Sequence, residues 1–211
     1  MAAPSEPVSA LTLIMSSAVV SAGVNVAWSV ITRLLDLRRE KTKIAHEYLS
    51  LVLQPEEFVR LCNERLYDIS EAMDRYRGFQ DSAAFNGLGR IPLDFKPEPN
   101  WSSLPIPFVA NMKSLPNRFE QCDRWITAQS EWAGLDDAYE FEEERLAFYA
   151  LKAAKIAAEV RQQIGAGDGD LGDLVTHLES VIAQRRAVHL KDPSRRDYIP
   201  ELRAHFESGS P

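Results

Sequence analysis

The chain has 211 residues, with 24 Lys and Arg against 31 Asp and Glu for a formal net charge of −7, and it carries 12 prolines and 10 glycines. Once an apolar N-terminal run is set aside, that length supports one domain with its own core and argues against a second full one. So acidic a chain repels phosphate backbones, whose binding draws on clustered cations, and nucleic acid is not an expected partner.

Residues 1–9 form a short tail with Glu6 and no Lys or Arg, and from Pro7 to Thr32 no residue is charged. As a helix, 10–31 would be about 33 Å long, matching a bilayer core of about 30 Å. A soluble core helix rarely runs so far without a charge, and a cleaved export signal needs a basic leader that is absent here, although Val20-Ser21-Ala22 has the small residues of a cleavage site. The run is therefore expected to be a transmembrane helix. Ser17, Ser21, Asn25 and Ser29 recur every four residues on one slowly drifting face beside Ala18, Ala22 and Gly23. Such a face suits contact with a second membrane helix, although serines also bond back to their own carbonyls.

Five cations follow at once: Arg33, Arg38, Arg39, Lys41 and Lys43, opposed only by Asp36 and Glu40. Basic residues are retained on the cytoplasmic face, so the N-terminus is expected outside, the remainder in the cytoplasm of an inner membrane, and the cluster on anionic lipid. Trp28 falls near the inner boundary, where an indole sits well. Leu37, Ile44, Tyr48, Leu51 and Val52 continue the helical rhythm as an amphipathic stalk over 32–54, expected to stop at Gln54-Pro55. Pro55 would then open a new helix with Glu56 and Glu57 beside its N-terminal dipole, carry Phe58, Leu61, Cys62, Leu66, Ile69, Met73 and Tyr76 inward, and end at Gly78. Cys62 and Cys122 have no metal or redox spacing and are expected as buried or half-buried reduced thiols.

Residues 79–108 hold prolines at 92, 97, 99, 105 and 107, which exclude a long helix. Because Phe79, Phe85, Phe95, Trp101 and Phe108 lie among them, an ordered wrap over the helices is expected, with Phe95, Trp101 and Phe108 the contacts if it is instead a partner-binding loop. A brief helix at Pro107 and a second from Pro116 to Trp132, with Phe119, Cys122, Trp125, Ile126 and Gln129 on one face, come next. The strongest periodicity follows, from Leu135 through Tyr139, Leu146, Tyr149, Ala153, Ile156 and Val160 to Ile164, ended by Gly165. A helix over about 170–190 and a short one over 198–206 precede a disordered tail at 208–211. No alternating strand and no internal repeat is present. The fold expected is all-α: the transmembrane helix and stalk, then a helical domain over 55–207 built from about four main helices with a long Pro-rich loop.

In WSSLPIPFVANMKSLPNRF, Trp101, Leu104 and the helix start Leu115-Pro116-Asn117 give the chain a resemblance to uncharacterised bacterial single-pass inner-membrane proteins with a helical cytoplasmic domain. That resemblance implies a location and supplies no activity, site or cofactor.

Three segments invite chemistry. GDGDLG, Gly167 to Gly172, has the spacing of a dinucleotide fingerprint, yet a helix precedes it and Asp168 and Asp170 would repel phosphates. Asp168, Asp170 and Glu179 match three calcium-loop positions, but Asp173 stands where the turn glycine belongs, and a Gly-rich turn with capping aspartates accounts for the segment as well. The run DDAYEFEEER, Asp136 to Arg145, lacks the Glu-x-x-His of di-metal bundles and is expected to serve the helix dipole, while His46, His177, His189 and His205 are scattered. Without a nucleophile elbow, phosphate loop or zinc motif, no catalytic, cofactor or metal residue is assigned. A membrane-anchored interaction or scaffold protein that binds lipid and another protein or itself is the expected function, with an oligomerising permeabilising or transport accessory protein as the alternative.

Overall fold

The computed structural model describes residues 10–132, 134–191 and 197–208; the side chains of 10–32, 34, 35, 37, 38, 40, 41 and 103 lie outside that description. Among the described residues there are five α-helices, two short 3-10 turns and no strand: α1 (Ala10–Phe79), α2 (Ile106–Gln129), α3 (Leu135–Ile164), α4 (Gly172–Lys191) and α5 (Pro200–Glu207). The chain divides into two compact units, Met1–His46 and Glu47–Pro211. In the first unit α1 exposes Arg33, Asp36, Arg39, Thr42, Lys43 and His46. Among the described residues no helix is long and apolar enough to cross a membrane. The expected span and its stripe, Ser17, Ser21, Asn25 and Ser29, fall where only the helical backbone is described.

In the second unit, two prolines expected to start helices lie inside them instead. Pro55 sits within α1 and Pro116 within α2. An interior proline forfeits a backbone hydrogen bond and crowds the carbonyl four residues back, at about 3 kcal/mol. Burial outweighs that loss: Leu51, Val52, Phe58 and Val59 around Pro55, and Met112, Leu115 and Phe119 around Pro116, are all buried, each contributing about 1.5–3 kcal/mol. Glu56 is correspondingly no first-turn carboxylate but a buried one, 1% exposed. Leu61, expected in the core, is 39% exposed. The stop near Gly78 holds, since α1 ends at Phe79.

Ring contacts fix the helix directions. Tyr48 meets Phe108 at 5.7 Å and Phe58 meets Phe119 at 5.2 Å, so α1 and α2 rise together and lie parallel. A parallel pair cannot be joined by a tight turn. The intervening chain must return the full height, and it does so as a strap along α1: Phe85 against Tyr76 at 5.6 Å, Gly89 O accepting from Arg65 Nη1 at 2.7 Å, and Pro97 O accepting from Gln54 Nε2 at 3.2 Å. Between Gln54 and Tyr76 α1 climbs about 33 Å, and the dozen residues from Phe85 to Pro97 can reach about 40 Å when fully extended. The strap is therefore nearly taut, which suits its prolines and their extended backbone. Its Phe85, Ile91, Leu93 and Leu104 are buried in the core.

Helix α3 runs antiparallel to α2, with Trp125 on Phe141 at 5.2 Å and Phe119 on Tyr149 at 5.4 Å, and also packs against α4. Its limits are those of the periodic run, and Gly165 ends it in the left-handed conformation at φ 65°, which a Cβ disfavours. Both thiols are free and buried.

Candidate functional site

The acidic run on α3 divides in two. Asp136 and Asp137 occupy the first turn, where Asp137 Oδ2 accepts from the Gly134 N–H at 3.3 Å, in line with the dipole expectation. The glutamates beyond them are committed to arginines. Glu142 takes both arms of the buried Arg145 guanidinium at 2.7 Å, and Arg145 also donates to Phe119 O and lies over the Phe119 ring at 3.9 Å. Arg185 on α4 binds Glu143 at 2.7 Å and Glu140 at 3.4 Å, and Arg77 on α1 reaches Glu140 at 2.8 Å. Glu144, fully buried, accepts the Ile199 N–H at 3.1 Å and so seats α5. Among the described residues no group of three or more His, Cys, Asp or Glu is placed to hold a metal.

The Gly-rich segment after α3 has a structural task. Arg161 on α3 binds the buried Glu56 of α1 through both Nε and Nη2, the latter at 2.9 Å, and donates from Nη1 to Gly167 O at 3.1 Å. A Cβ on Gly169 would lie 2.8 Å from Arg161 Nε and against the Glu56 carboxylate. The absence of a side chain there lets the loop close over the ion pair.

Two clefts remain. A polar one of about 450 Å³ between α1, α3 and α4 holds His177, stacked on Tyr67 at 4.8 Å with its Nδ1 2.6 Å from Asn63 Oδ1. Ser180, on the same cleft, donates its hydroxyl to His177 O and forms no nucleophile–base pair.

The other cleft, of about 700 Å³, lies between α3, α4 and α5. Phe148, Leu151, Ala154 and Ala158 form its α3 wall, Val175 and Ile182 its α4 wall, and Ala204 its α5 wall. Polar groups converge on it: Lys152 and Lys155 from α3, Glu179 from α4, Glu201 and His205 from α5. Lys152 Nζ stands over the Phe148 ring at 4.4 Å and 5.8 Å from that of Tyr149. Burial pushes this ammonium below the usual lysine range, with Arg118 pushing the same way and Glu201 opposing. Glu201 Oε1 accepts the Tyr149 hydroxyl at 2.7 Å, and its Oε2 is buried. Burial first and that hydrogen bond second raise the Tyr149 phenol; burial likewise raises the Cys122 thiol, which Glu201 pushes further. Size, apolar walls and a few converging polar groups are the features of small-molecule sites.

The residues singled out from sequence lie elsewhere. Arg33, Arg39 and Lys43 are exposed, while the side chains of Arg38 and Lys41 lie outside the described residues. Phe95 and Trp101 are half-buried and meet edge to face at 5.8 Å; Lys113 caps Trp101 at 5.0 Å, and Phe108 packs on Tyr48. The loop aromatics are thus partly engaged within the chain. Lys152, Glu201 and His205 carry no local motif; the one sequence signal is the small-residue stretch ALKAAKIAA on α3.

No family model, curated protein or solved structure matches the chain.

Proposed function

We propose that the protein is a membrane-tethered helical interaction module, anchored through 10–31 with its N-terminus outside and its helical bundle in the cytoplasm. The observation that carries this is the charge-free stretch from Pro7 to Thr32 followed at once by Arg33, Arg38, Arg39, Lys41 and Lys43. A run of that length matches a bilayer core, and the cations after it belong on the cytoplasmic leaflet at about 1 kcal/mol each. Three of those cations, Arg33, Arg39 and Lys43, are exposed. The stripe of Ser17, Ser21, Asn25 and Ser29 offers a contact to a second span, and the bundle's role is to bind a protein partner there.

Accessibility labelling tests the topology, and the native thiols do not interfere. Cys62 and Cys122 are buried and their thiols are pushed up mainly by burial, so a maleimide reads engineered cysteines without their removal. In intact cells a membrane-impermeant maleimide should modify Ser5→Cys and spare Ser208→Cys until the membrane is opened. Release of the full chain from vesicles by alkaline carbonate, or labelling of both positions in intact cells, would refute the anchor.

A further inference from the structure

The bundle answers its inward-facing cations with carboxylates. Arg145 is held by Glu142, Arg161 by Glu56 and Arg185 by Glu143. Lys152 is the exception on α3: it is half-buried against two aromatic faces, and no carboxylate of the described residues lies within ion-pairing distance. Glu201 shares the cleft and offsets the Lys152 charge in part, with one of its oxygens taken by the Tyr149 hydroxyl, and Arg118 adds a second positive charge nearby. A partly desolvated cation with no carboxylate at ion-pairing distance gains when an anion meets it directly. Beyond it the cleft is walled by Leu151, Ala154, Ala158, Val175 and Ile182.

We infer that this cleft is a binding site for a long-chain fatty carboxylate, its headgroup on Lys152 and its alkyl chain along the α3 and α4 walls. On the α3 side the charged lining is Lys152 and Lys155, which select an anionic head, while Glu179 and Glu201 line the α4 and α5 sides. The walls select the tail, since methylenes gain from burial by about fourfold in affinity each when fully covered. The cleft's 700 Å³ lies in the range of small-molecule sites. A charge-assisted contact to Lys152 is worth about 10- to 100-fold in affinity.

The test uses the full chain in lipid vesicles and a hexadecanoate carrying a photoactivatable diazirine in its chain, with labelled peptides mapped by mass spectrometry. Labelling is expected on 148–158 and 175–182, displaced by unlabelled hexadecanoate. Lys152→Met should lower it at least about tenfold, Glu201→Gln should raise it severalfold by removing a repelling charge, and the corresponding diazirine hexadecanol should label the cleft at least about tenfold less. Should Lys152→Met lose helicity, Ala158→Trp provides the second arm: it sits on the exposed rim and fills the cleft, so it should abolish labelling with the fold intact. Equal labelling by acid and alcohol, indifference to both substitutions, or labelling confined to 10–31 would each overturn the inference, and the last of these would leave the anchor standing.

Discussion

The Glu56–Arg161 pair gives the sharpest test of the packing, because its two partners are unequally buried. The Glu56 side chain is 1% exposed and that of Arg161 is 17% exposed. Removing the cation by Arg161→Met strands a carboxylate with no route to water, the situation that costs about 3–5 kcal/mol. Removing the anion by Glu56→Met leaves an arginine that keeps its bond to Gly167 O and can turn toward solvent, so about 1–2 kcal/mol is expected. Replacing both with methionine should cost no more than the milder single change, since an apolar pair of similar volume fills a buried ion-pair site at little loss. The coupling energy from the double-mutant cycle should then exceed about 2 kcal/mol. Denaturant unfolding of the full chain in mild detergent, followed by circular dichroism, measures all four proteins. Gly169→Ala supplies an independent arm: its Cβ would fall 2.8 Å from Arg161 Nε, so the loop must lift or the pair must separate, for about 1–3 kcal/mol. Equal costs for the two single changes, or a double variant as unstable as their sum, would refute the asymmetry and with it the view that the loop seals a buried charge.

Pro55→Ala should stabilise the protein by up to about 3 kcal/mol less any lost packing, because it restores an interior helix hydrogen bond; a lower melting temperature would show that the ring's packing dominates. Glu143 is raised above the usual carboxylate range, mainly by burial and against the pull of Arg185, so the folded state holds its proton longer than the unfolded state does. Its contribution to stability is present below the unfolded value and is lost as pH rises through the folded one, and Glu143→Gln should flatten that decline in melts taken from acid to neutral pH. Lys152 is lowered by burial, so the unfolded state binds its proton more tightly; at neutral pH Lys152→Met should raise stability, by a few tenths of a kcal/mol after solvent screening. Arg65→Ala removes the donor to Gly89 O, and limited proteolysis should then cut between 86 and 100 at least about tenfold faster, as loss of about 1.4 kcal/mol of local protection predicts.

How much of this was legible depended on whether the deciding forces were local. Helix α3 was read to the residue, Leu135 to Ile164, because eight turns of unbroken periodicity and flanking glycines agree at every position. The 79–108 segment was legible as an ordered wrap only in part: Phe85, Ile91 and Leu93 are buried, whereas Phe79 is 84% exposed. Its reason was not legible. A strap this long is needed because α1 and α2 are parallel, and helix direction is decided by packing between residues such as Phe58 and Phe119. The prolines misled for a related cause: local rules place Pro55 and Pro116 at helix starts, and buried side chains on both sides carry the helix through them. Nor could Glu56 be told from an ordinary N-terminal carboxylate, for its partner stands 105 residues away. The cleft was invisible on the same grounds, since Lys152, Glu179 and Glu201 come from three helices.

The same electrostatics separates structural charge from functional charge. With 31 carboxylates against 24 cations, an inward-facing lysine or arginine in this bundle has partners within easy reach, and the arginines use them: Arg185 alone meets Glu140, Glu143 and Glu144. Folding selects such matches because an unpaired buried charge is among the costliest features a core can carry. A cation left without its match in so acidic a chain is therefore informative in a way that it would not be in a basic one. Arg145, Arg161 and Arg185 are spent on holding helices together, and their removal should be felt in stability. Lys152 makes no ion pair among the described residues, and its Nζ lies over the Phe148 ring of its own helix. Its position between Phe148 and the apolar walls costs the fold a little stability, a pattern that fits a residue retained for what it binds.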